Sequence, residues 1–366
     1  MELVINRGKI KEAITKMRSS LDATGVKPIL KHFLFEIKDK NLSIKASNGV
    51  ISTTWITPVD SEDNFSFTML GETIGGLVSS LDNDEVTFKF NPETDDVMLT
   101  CGKYKWEGLT GKVSSFPEIN LPTDLEVLPL PNNFENMLKK VFFSISKDIE
   151  KADLNSLCVD VNKDNTGKLS LVSTDRIRLS YATAPLEGYK GNHIRFVVPK
   201  NSVSELMKLE PDTLMYDKDL KKAYFKKESP AGTYIFQTVL THAEYPDIYV
   251  YLDQEFDQSP VTFNKSELIK VLKRVKLTSD KTSREGKVEF NTSEAVLTSL
   301  SSSNKSRESI TASFAGDVPH GFNVNLDFMA EYLNLDSDET VDVKVVDDKC
   351  MVFDKDEYRH VLSIHN

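Results

Sequence analysis

Cysteine is scarce in this 366-residue chain, and Cys101, Cys158 and Cys350 lie far apart with no C-x-x-C pair. That excludes a disulfide framework and a zinc ribbon, and leaves buried, inert thiols as the expectation. The six histidines are scattered singly; His360 and His365 could share an ion only in an unusual geometry. No apolar run approaches the roughly 18 to 20 residues of a membrane-spanning helix. The opening Met1-Glu2-Leu3-Val4-Ile5-Asn6 has neither the basic start nor the apolar core of a signal peptide. A cytoplasmic protein without a membrane partner is therefore expected. The glycine motifs of nucleotide and acyl chemistry are missing too: Gly108-Leu109-Thr110-Gly111-Lys112 has the wrong spacing for a P-loop, and no G-x-G-x-x-G or G-x-S-x-G occurs. Asp82, Asp84 and Glu85 read as a solvated turn after a helix rather than as magnesium ligands. No cofactor, metal or catalytic residue is expected, and an enzyme is the weakest reading.

An internal repeat is present instead. Three apolar stripes, Ile10/Ala13/Ile14/Met17, Phe134/Met137/Leu138/Val141 and Leu268/Val271/Leu272/Val275, run i, i+3, i+4, i+7 and predict one core-facing helix each. Each is followed by paired strand-forming segments: 32–37 and 42–46, 157–161 and 169–173, 288–290 and 295–299. Turn residues at 38–41, 164–167 and 291–294 make them hairpins. A second helix per copy is predicted from Ile74/Leu77/Val78/Leu81, Val203/Leu206/Met207 and Phe328/Tyr332/Leu335. Similar acidic tails follow at 81–86 and 335–339, then closing strands at 86–90 and 341–345. Phe116-Pro117-Glu118-Ile119 recurs as Tyr245-Pro246-Asp247-Ile248 and marks the ends of copies. Linkers at 121–131 and 253–260 then divide an α+β chain into three domains, 1–124, 125–255 and 256–366, each packing two helices on antiparallel sheets.

Positive charge is also scarce overall, 45 Lys and Arg against 56 Asp and Glu for a net of −11, which argues against nucleic-acid binding by bulk charge. Its distribution reverses that inference. Lys9, Lys11, Lys16 and Arg18 against Glu12 give the first helix segment +3. Lys139, Lys140 and Lys147 against Glu135 give the second +2, and Lys265, Lys270, Lys273, Arg274 and Lys276 against Glu267 give the third +4. Together they carry +9 against −20 for the rest of the chain. The sixth residue after the first core position is basic in every copy: Lys16, Lys140 and Arg274. Such a face attracts phosphate without reading bases and is sensitive to salt. No helix-turn-helix, C2H2 zinc spacing or aromatic RNP-type strand is available to read sequence.

Three copies of a helix, strands, helix, strands unit with basic helices on an acidic chain resemble the bacterial sliding clamp, the β subunit of DNA polymerase III. The likeness spans essentially the whole chain. Its motifs, in order, are Lys27-Pro28-Ile29-Leu30, Ser173-Thr174-Asp175-Arg176-Ile177-Arg178-Leu179, Val197-Val198-Pro199-Lys200 and Tyr245-Pro246-Asp247. The resemblance implies a clamp fold assembled head to tail as a homodimer, six domains in a ring with helices inside and sheets outside. Such a ring catalyses nothing; it encircles double-stranded DNA without sequence preference and tethers DNA polymerase as a processivity factor. A clamp loader, other proteins with clamp-binding motifs and a second copy are the further partners implied.

The resemblance adds Lys200 and Lys208 to the basic residues of the pore. It implies a partner-peptide pocket at Leu154, Thr174, Arg178, Leu179, Pro246, Val250 and Tyr251 with the C-terminal Val361, Leu362, Ser363 and Ile364. Here Arg176 replaces the family's usual glycine and Ser363 its usual proline, so peptide specificity departs from the common pattern, as in a divergent or phage-encoded member. The dimer seam is implied at Lys103, Tyr104, Lys105 and Trp106 against Lys276 and Leu277, with Trp106 and Leu277 as apolar anchors. A protein-binding scaffold built on the same fold, whose basic helices meet acidic partners without loading onto DNA, stays open beside this reading.

Overall fold

The computed structural model describes residues 1–366 except 26, 218, 253, 254, 318, 320, 336, 347, 348 and 366. The linker start at Asp253, Asp336 of the acidic tail, His320 and the terminal Asn366 therefore lie outside the described residues. The chain forms two compact units: Met1–Glu135 with Asn201–His242, and Asn136–Lys200 with Ala243–Asn366.

In the first unit, helix α1 (Arg7–Met17) begins where the Asn6 Oδ1 accepts the Lys9 amide at 3.1 Å, an N-cap. It buries the predicted stripe Ile10, Ala13, Ile14 and Met17. Helix α2 (Gly71–Ser80) packs beside it and buries Ile74 and Val78; Leu81 ends it by returning its amide to the Leu77 carbonyl. A four-stranded antiparallel sheet runs in the order Glu2–Asn6, Glu85–Asn91, Asp96–Cys101, Tyr104–Leu109. An eight-stranded antiparallel sheet runs Phe65–Leu70, His32–Lys38, Asn41–Ser47, Ile51–Pro58, Gly232–Val239, Lys222–Ser229, Thr213–Tyr216, Glu126–Pro129. Its middle pairing, Ile51–Pro58 with Gly232–Val239, joins strands of the first repeat to strands of the second. The expected hairpin at 38–41 turns through Asp39 and Lys40, both left-handed (φ 51° and 60°), the two-residue geometry that suits the twist of antiparallel strands. Phe33, Phe35, Phe67 and Phe88 fill the core, with the Phe35 and Phe67 rings stacked at 4.8 Å.

The chain passes from the first unit to the second within α3 (Phe134–Phe142) and returns at the start of α4 (Lys200–Leu209). α4 buries Val203, Leu206 and Leu209 and ties Ser202 Oγ to Thr238 Oγ1 at 2.7 Å in the first unit.

One antiparallel sheet of twelve strands spans the second unit: Ile194–Pro199, Ser156–Val161, Lys168–Thr174, Arg178–Pro185, Tyr358–Ser363, Cys350–Lys355, Thr340–Val346, Val261–Asn264, Arg307–Phe314, Glu294–Ser299, Glu285–Phe290, Phe322–Asn325. Here Arg178–Pro185 pairs with Tyr358–Ser363, joining the second repeat to the third. The middle repeat thus gives four strands to each large sheet. A short helix α5 (Tyr249–Leu252) precedes α6 (Lys265–Lys276), which buries Leu268, Val271, Leu272 and Val275 as predicted. Helix α7 (Leu326–Leu333) departs from its expected stripe. Asn325 Oδ1 caps it on the Asp327 and Phe328 amides, so the buried side is Leu326, Met329, Tyr332 and Leu333, and Leu335 lies exposed beyond its end. Cys101 and Cys158 are buried free thiols, the latter pushed up to about 11 by burial, whereas Cys350 is only half-buried. No helix among the described residues is long and apolar enough to cross a membrane.

His360 lies fully buried on the strand of the second joint, with Nδ1 2.9 Å from Ser180 Oγ and no partner for Nε2 among the described residues. Burial, then the nearby Arg178, depresses its pKa to about 3. The unfolded chain takes up this proton below about 6.5 while the folded chain refuses it. Its contribution to stability is full above 6.5 and falls by roughly 1.4 kcal/mol per pH unit on acidification toward 3. Urea titrations from pH 7 to 4 should show this loss, and His360→Phe should flatten that part of the profile.

Candidate nucleic-acid interface and docking surface

In the first unit Lys9 and Lys16 are exposed on α1 and Lys11 is half-buried, while Arg18 stands exposed in the 3-10 turn that follows the helix. Lys16 pairs with Glu12 at 3.1 Å, one helical turn away, and its ammonium lies 5.0 Å over the Tyr234 ring. On α4 the exposed Lys208 pairs with Glu205 at 2.8 Å, and Glu205 also accepts Ser19 Oγ. Lys16, Glu205, Lys208 and Tyr234 line one narrow cleft, so the basic residues of α1 and α4 are brought together with two acids among them.

In the second unit Lys139 and Lys140 occupy the last turn of α3, where Lys140 lies 5.2 Å over the Tyr358 ring and its carbonyl accepts the Tyr358 hydroxyl at 2.9 Å. Lys147 is exposed but stands five residues past the end of α3, so it does not belong to the helix face. Lys200 turns inward. Its ammonium donates to the carbonyls of Ile145 (2.9 Å) and Ser146 (3.1 Å), and burial, then Lys147, lowers its pKa. On α6, Lys270 and Lys273 are exposed and Lys265 is half-buried. Arg274 grips Glu308, with Nε to Oε2 at 2.8 Å, and Lys276 pairs with Asp327. Glu12–Lys16 and Glu205–Lys208 are pairs within one helix each, whereas Glu308 and Asp327 come from other elements.

The residues expected to form a partner pocket all lie in the second unit. Strand pairing sets Arg178 opposite Leu362 and Leu179 opposite Val361, and the Ser363 amide reaches the Ile177 carbonyl at 2.8 Å. Leu179 and Val361 join Cys158, Val172, Tyr245 and Ile248 in one apolar cluster, against which Tyr249 and Leu252 of α5 pack. α5 leaves Val250 and Tyr251 outside, 68% and 60% exposed. Pro246 is half-buried in the turn before α5. Other pocket residues sit inside the protein: Leu154, Leu362 and Ile364 are buried, and Thr174 Oγ1 donates to the Arg178 carbonyl at 2.7 Å. Arg178 is 3% exposed, with Nε on Asp175 at 2.9 Å, Nη1 on Glu331 of α7, and its guanidinium 3.9 Å over Phe328. Its charge is consumed within the protein rather than offered to a ligand. Arg176 is exposed and left-handed (φ 78°), a conformation costly for a side chain other than glycine, beside the half-exposed Ile177.

Sequence reasoning missed what anchors this region. Asp160, 1% exposed, accepts the Tyr249 hydroxyl at 2.6 Å and His193 Nε2 at 2.8 Å, so one buried carboxylate ties α5 and the approach to strand Ile194–Pro199 to strand Ser156–Val161. The signal was available as a lone acid in the apolar run Leu157-Cys158-Val159-Asp160-Val161.

Of the expected seam residues, Lys103, Tyr104 and Lys105 are exposed on or beside the edge strand Tyr104–Leu109 of the first unit. Lys105 pairs with Glu107 at 2.7 Å. Trp106 is half-buried and its indole covers Gly108, where an added Cβ would come within 2.5 Å of the ring. Leu109, which the sequence reading passed over, is 75% exposed at the end of the strand. In the second unit Leu277 caps α6 and is 83% exposed.

Residues 1–122 match the family model of the DNA polymerase III beta subunit N-terminal domain, and residues 130–247 that of its central domain. Over 354 residues the chain is 22% identical to the beta sliding clamp of Chlamydia pneumoniae, covering 95% of this chain and 93% of that protein. It is 20% identical over 347 residues to the beta sliding clamp of Bacillus subtilis, covering 91% and 89%. The fold superposes on the crystal structure of the DNA polymerase III subunit beta from Pseudomonas aeruginosa with a TM-score of 0.89 at 14% identity, covering 100% of both chains. The beta subunit from Thermotoga maritima gives 0.85 at 22% identity over 100% of this chain and 99% of that one.

Truncating Arg178 to alanine strands Asp175 and Glu331 without their shared cation. The expected loss is about 3 kcal/mol, the lower end for a broken buried pair because Glu331 keeps contact with water. It should be read as a lowered urea midpoint with an unchanged slope.

Proposed function

The chain belongs to the DNA polymerase III beta subunit family, and on that footing we propose that it is a sliding clamp. In this reading two copies close head to tail into a ring that encloses duplex DNA, slides without reading sequence, and tethers DNA polymerase as a processivity factor. The ring catalyses nothing, works in the cytoplasm and is placed on DNA by a clamp loader. Each copy contributes three repeated domains, 1–124, 125–255 and 256–366.

The observation that carries the reading is the concentration of positive charge on the first helix of every repeat, against a chain whose remainder is strongly acidic. Enclosure replaces affinity, so weak phosphate contacts suffice and the acidic remainder keeps nucleic acid off other surfaces. The contacts fall chiefly to Lys9, Lys11, Arg18, Lys270 and Lys273, because Lys16, Lys208, Arg274 and Lys276 are paired with acids of their own chain and Lys200 points inward. Partner peptides dock by apolar side chains on the surface of Val250, Tyr251 and Ile177, over the cluster of Leu179 and Val361. The charge of Arg176 sets their specificity apart from that of clamps with glycine there.

Retention on circular DNA tests the topology. The wild-type protein should stay on a nicked circle at moderate salt and leave when the circle is cut. Lys9→Glu with Lys270→Glu and Lys273→Glu should lower retention and polymerase stimulation at least about 10-fold at unchanged thermal stability, by reversing phosphate contacts. Polymerase stimulation that is equal on linear and circular templates would instead mark a scaffold and overturn the proposal.

A further inference from the structure

The loop that carries Ile177 in the proposed docking surface has a counterpart in the first unit that matches it bond for bond. Between Lys168–Thr174 and Arg178–Pro185, Thr174 Oγ1 donates to the Arg178 carbonyl and accepts the Arg176 amide at 3.1 Å, while Asp175 Oδ1 accepts the Ile177 and Arg178 amides, both at 3.0 Å. Between Asn41–Ser47 and Ile51–Pro58, Ser47 Oγ donates to the Ile51 carbonyl at 3.1 Å and accepts the Gly49 amide at 3.1 Å, while Asn48 Oδ1 accepts the Val50 and Ile51 amides, both at 3.0 Å. Gly49 and Arg176 are both left-handed, with φ 91° and 78°. Val50 and Ile177 follow them and are 56% and 50% exposed. The Val50 carbonyl accepts the Val239 amide at 3.3 Å as the Ile177 carbonyl accepts that of Ser363, so each loop is tied to the last strand of the following repeat.

The surfaces beside the two loops differ in chemistry. In the second unit one rung across three neighbouring strands is Leu179, Val361 and Val352, all members of the apolar cluster. The equivalent rung in the first unit is Ser52, Gln237 and Tyr224. The covering segment differs as well. After Tyr245-Pro246-Asp247-Ile248 the chain forms α5, whereas after Phe116-Pro117-Glu118-Ile119 it takes up no helix or strand before Glu126. The backbone of 117–124 makes no hydrogen bond among the described residues. From this segment Ile119 and Leu121 line a cavity of about 60 Å³ together with Ser52, Thr54, Gln237 and Tyr224. Tyr224 is 2% exposed, and neither its hydroxyl, the Gln237 amide nor the Thr54 hydroxyl makes a hydrogen bond among the described residues. Buried polar groups are ordinarily paired, so this cavity holds hydrogen-bonding capacity that the fold does not use. The next rung carries Lys45 and Lys226, each paired with an acid of its own, Glu36 and Glu228.

We infer that the joint of the first two repeats is a second docking site, which takes a short uncharged segment of a partner protein with one amide or hydroxyl side chain beside an apolar one. The inference rests on the reading of the second joint as a docking surface, because the shared loop identifies the site. The lining sets the ligand chemistry. A small amide or hydroxyl fits the cavity and gives Tyr224, Gln237 and Thr54 the partner they lack, whereas an ionised group there would meet no free counter-charge. Val50 and the 40% exposed Val239, joined through their backbones, offer the apolar contact. Because 117–124 has no backbone hydrogen bonds to break, the cavity widens at little cost to admit a side chain. The two joints thus present one loop over two different floors, and they select different peptides.

Random dodecapeptides displayed on phage and selected on the full wild-type chain are the probe, with the affinities of the recovered peptides read by fluorescence anisotropy. One class should carry Asn, Gln, Ser or Thr beside an apolar residue. It should lose at least about 10-fold in affinity to Val50→Glu with Val239→Glu and be indifferent to Val250→Glu with Tyr251→Glu, all at exposed positions that do not threaten folding. Tyr224→Phe should weaken the same class about 5-fold, the worth of one hydrogen bond, at an unchanged urea midpoint because the hydroxyl has no partner in the free protein. If every recovered peptide fails on the Val250 and Tyr251 variant and ignores the Val50 and Val239 variant, the inference is overturned and the docking surface of the second joint stands. Peptides indifferent to both pairs of substitutions, or a library from which nothing is recovered, overturn both.

Discussion

The backbone hydrogen bonds between the last strand of one repeat and the fourth strand of the repeat before it are the constraint on which everything else rests. A strand edge left open in water is a template for unwanted pairing and must be paired, covered or blunted. Pairing Ile51–Pro58 with Gly232–Val239, and Arg178–Pro185 with Tyr358–Ser363, closes such edges and, together with the pairing of Val261–Asn264 with Arg307–Phe314, gathers the strands into three sheets. The helices gain their orientation from these joints. Tyr234 and Tyr358 sit on the joint strands and hold Lys16 and Lys140 by their rings.

Charge is arranged around that framework with economy. An acid within one turn or on another element of the same unit restrains some of the basic side chains: Glu12 on Lys16, Glu205 on Lys208, Glu308 on Arg274, Asp327 on Lys276. Lys9, Lys270 and Lys273 remain exposed toward solvent. If this basic face meets a polyanion as proposed, its partial self-neutralisation lowers the salt-dependent affinity and favours movement along the partner. The second unit treats buried charge differently. Asp160 and Arg178 are almost wholly enclosed; Asp160 accepts from Tyr249 and His193 and Arg178 donates to the nearby Asp175 and the distant Glu331, which fixes α5 and α7 against the large sheet at positions an apolar contact would leave less defined.

Much of this architecture is legible in the amino-acid sequence. The stripes starting at Ile10, Phe134 and Leu268 bury as the spacing requires, because a 3.6-residue period has no other solution on a helix with one wet face. The hairpin at 38–41 follows from polar turn residues between alternating strands. The third repeat's second helix misleads because Phe328 and Leu335 are large and apolar; its real start is set by the Asn325 cap, and Phe328 serves as a platform for the Arg178 guanidinium instead. Of the candidate site, the clustering of positive charge is readable, since it is a property of contiguous segments. Which arginines are spent is not, because Glu308 and Glu331 lie 34 and 153 residues from Arg274 and Arg178. Asp160 looks like one more acid until its strand proves buried on both faces.

The first joint also dictates how the chain must come into being. Ile51–Pro58 leaves the ribosome well before its mate Gly232–Val239 exists, with some 170 residues still to be joined. At about 5 to 20 residues per second that interval lasts roughly 9 to 35 s. Throughout it the first unit stands half-built, Trp55 lacks the neighbour that will cover it, and any other nascent chain with a free edge can take the vacant place. The order of synthesis thus leaves the Ile51–Pro58 edge open for longer than any other part of the first unit's large sheet must wait for its neighbour.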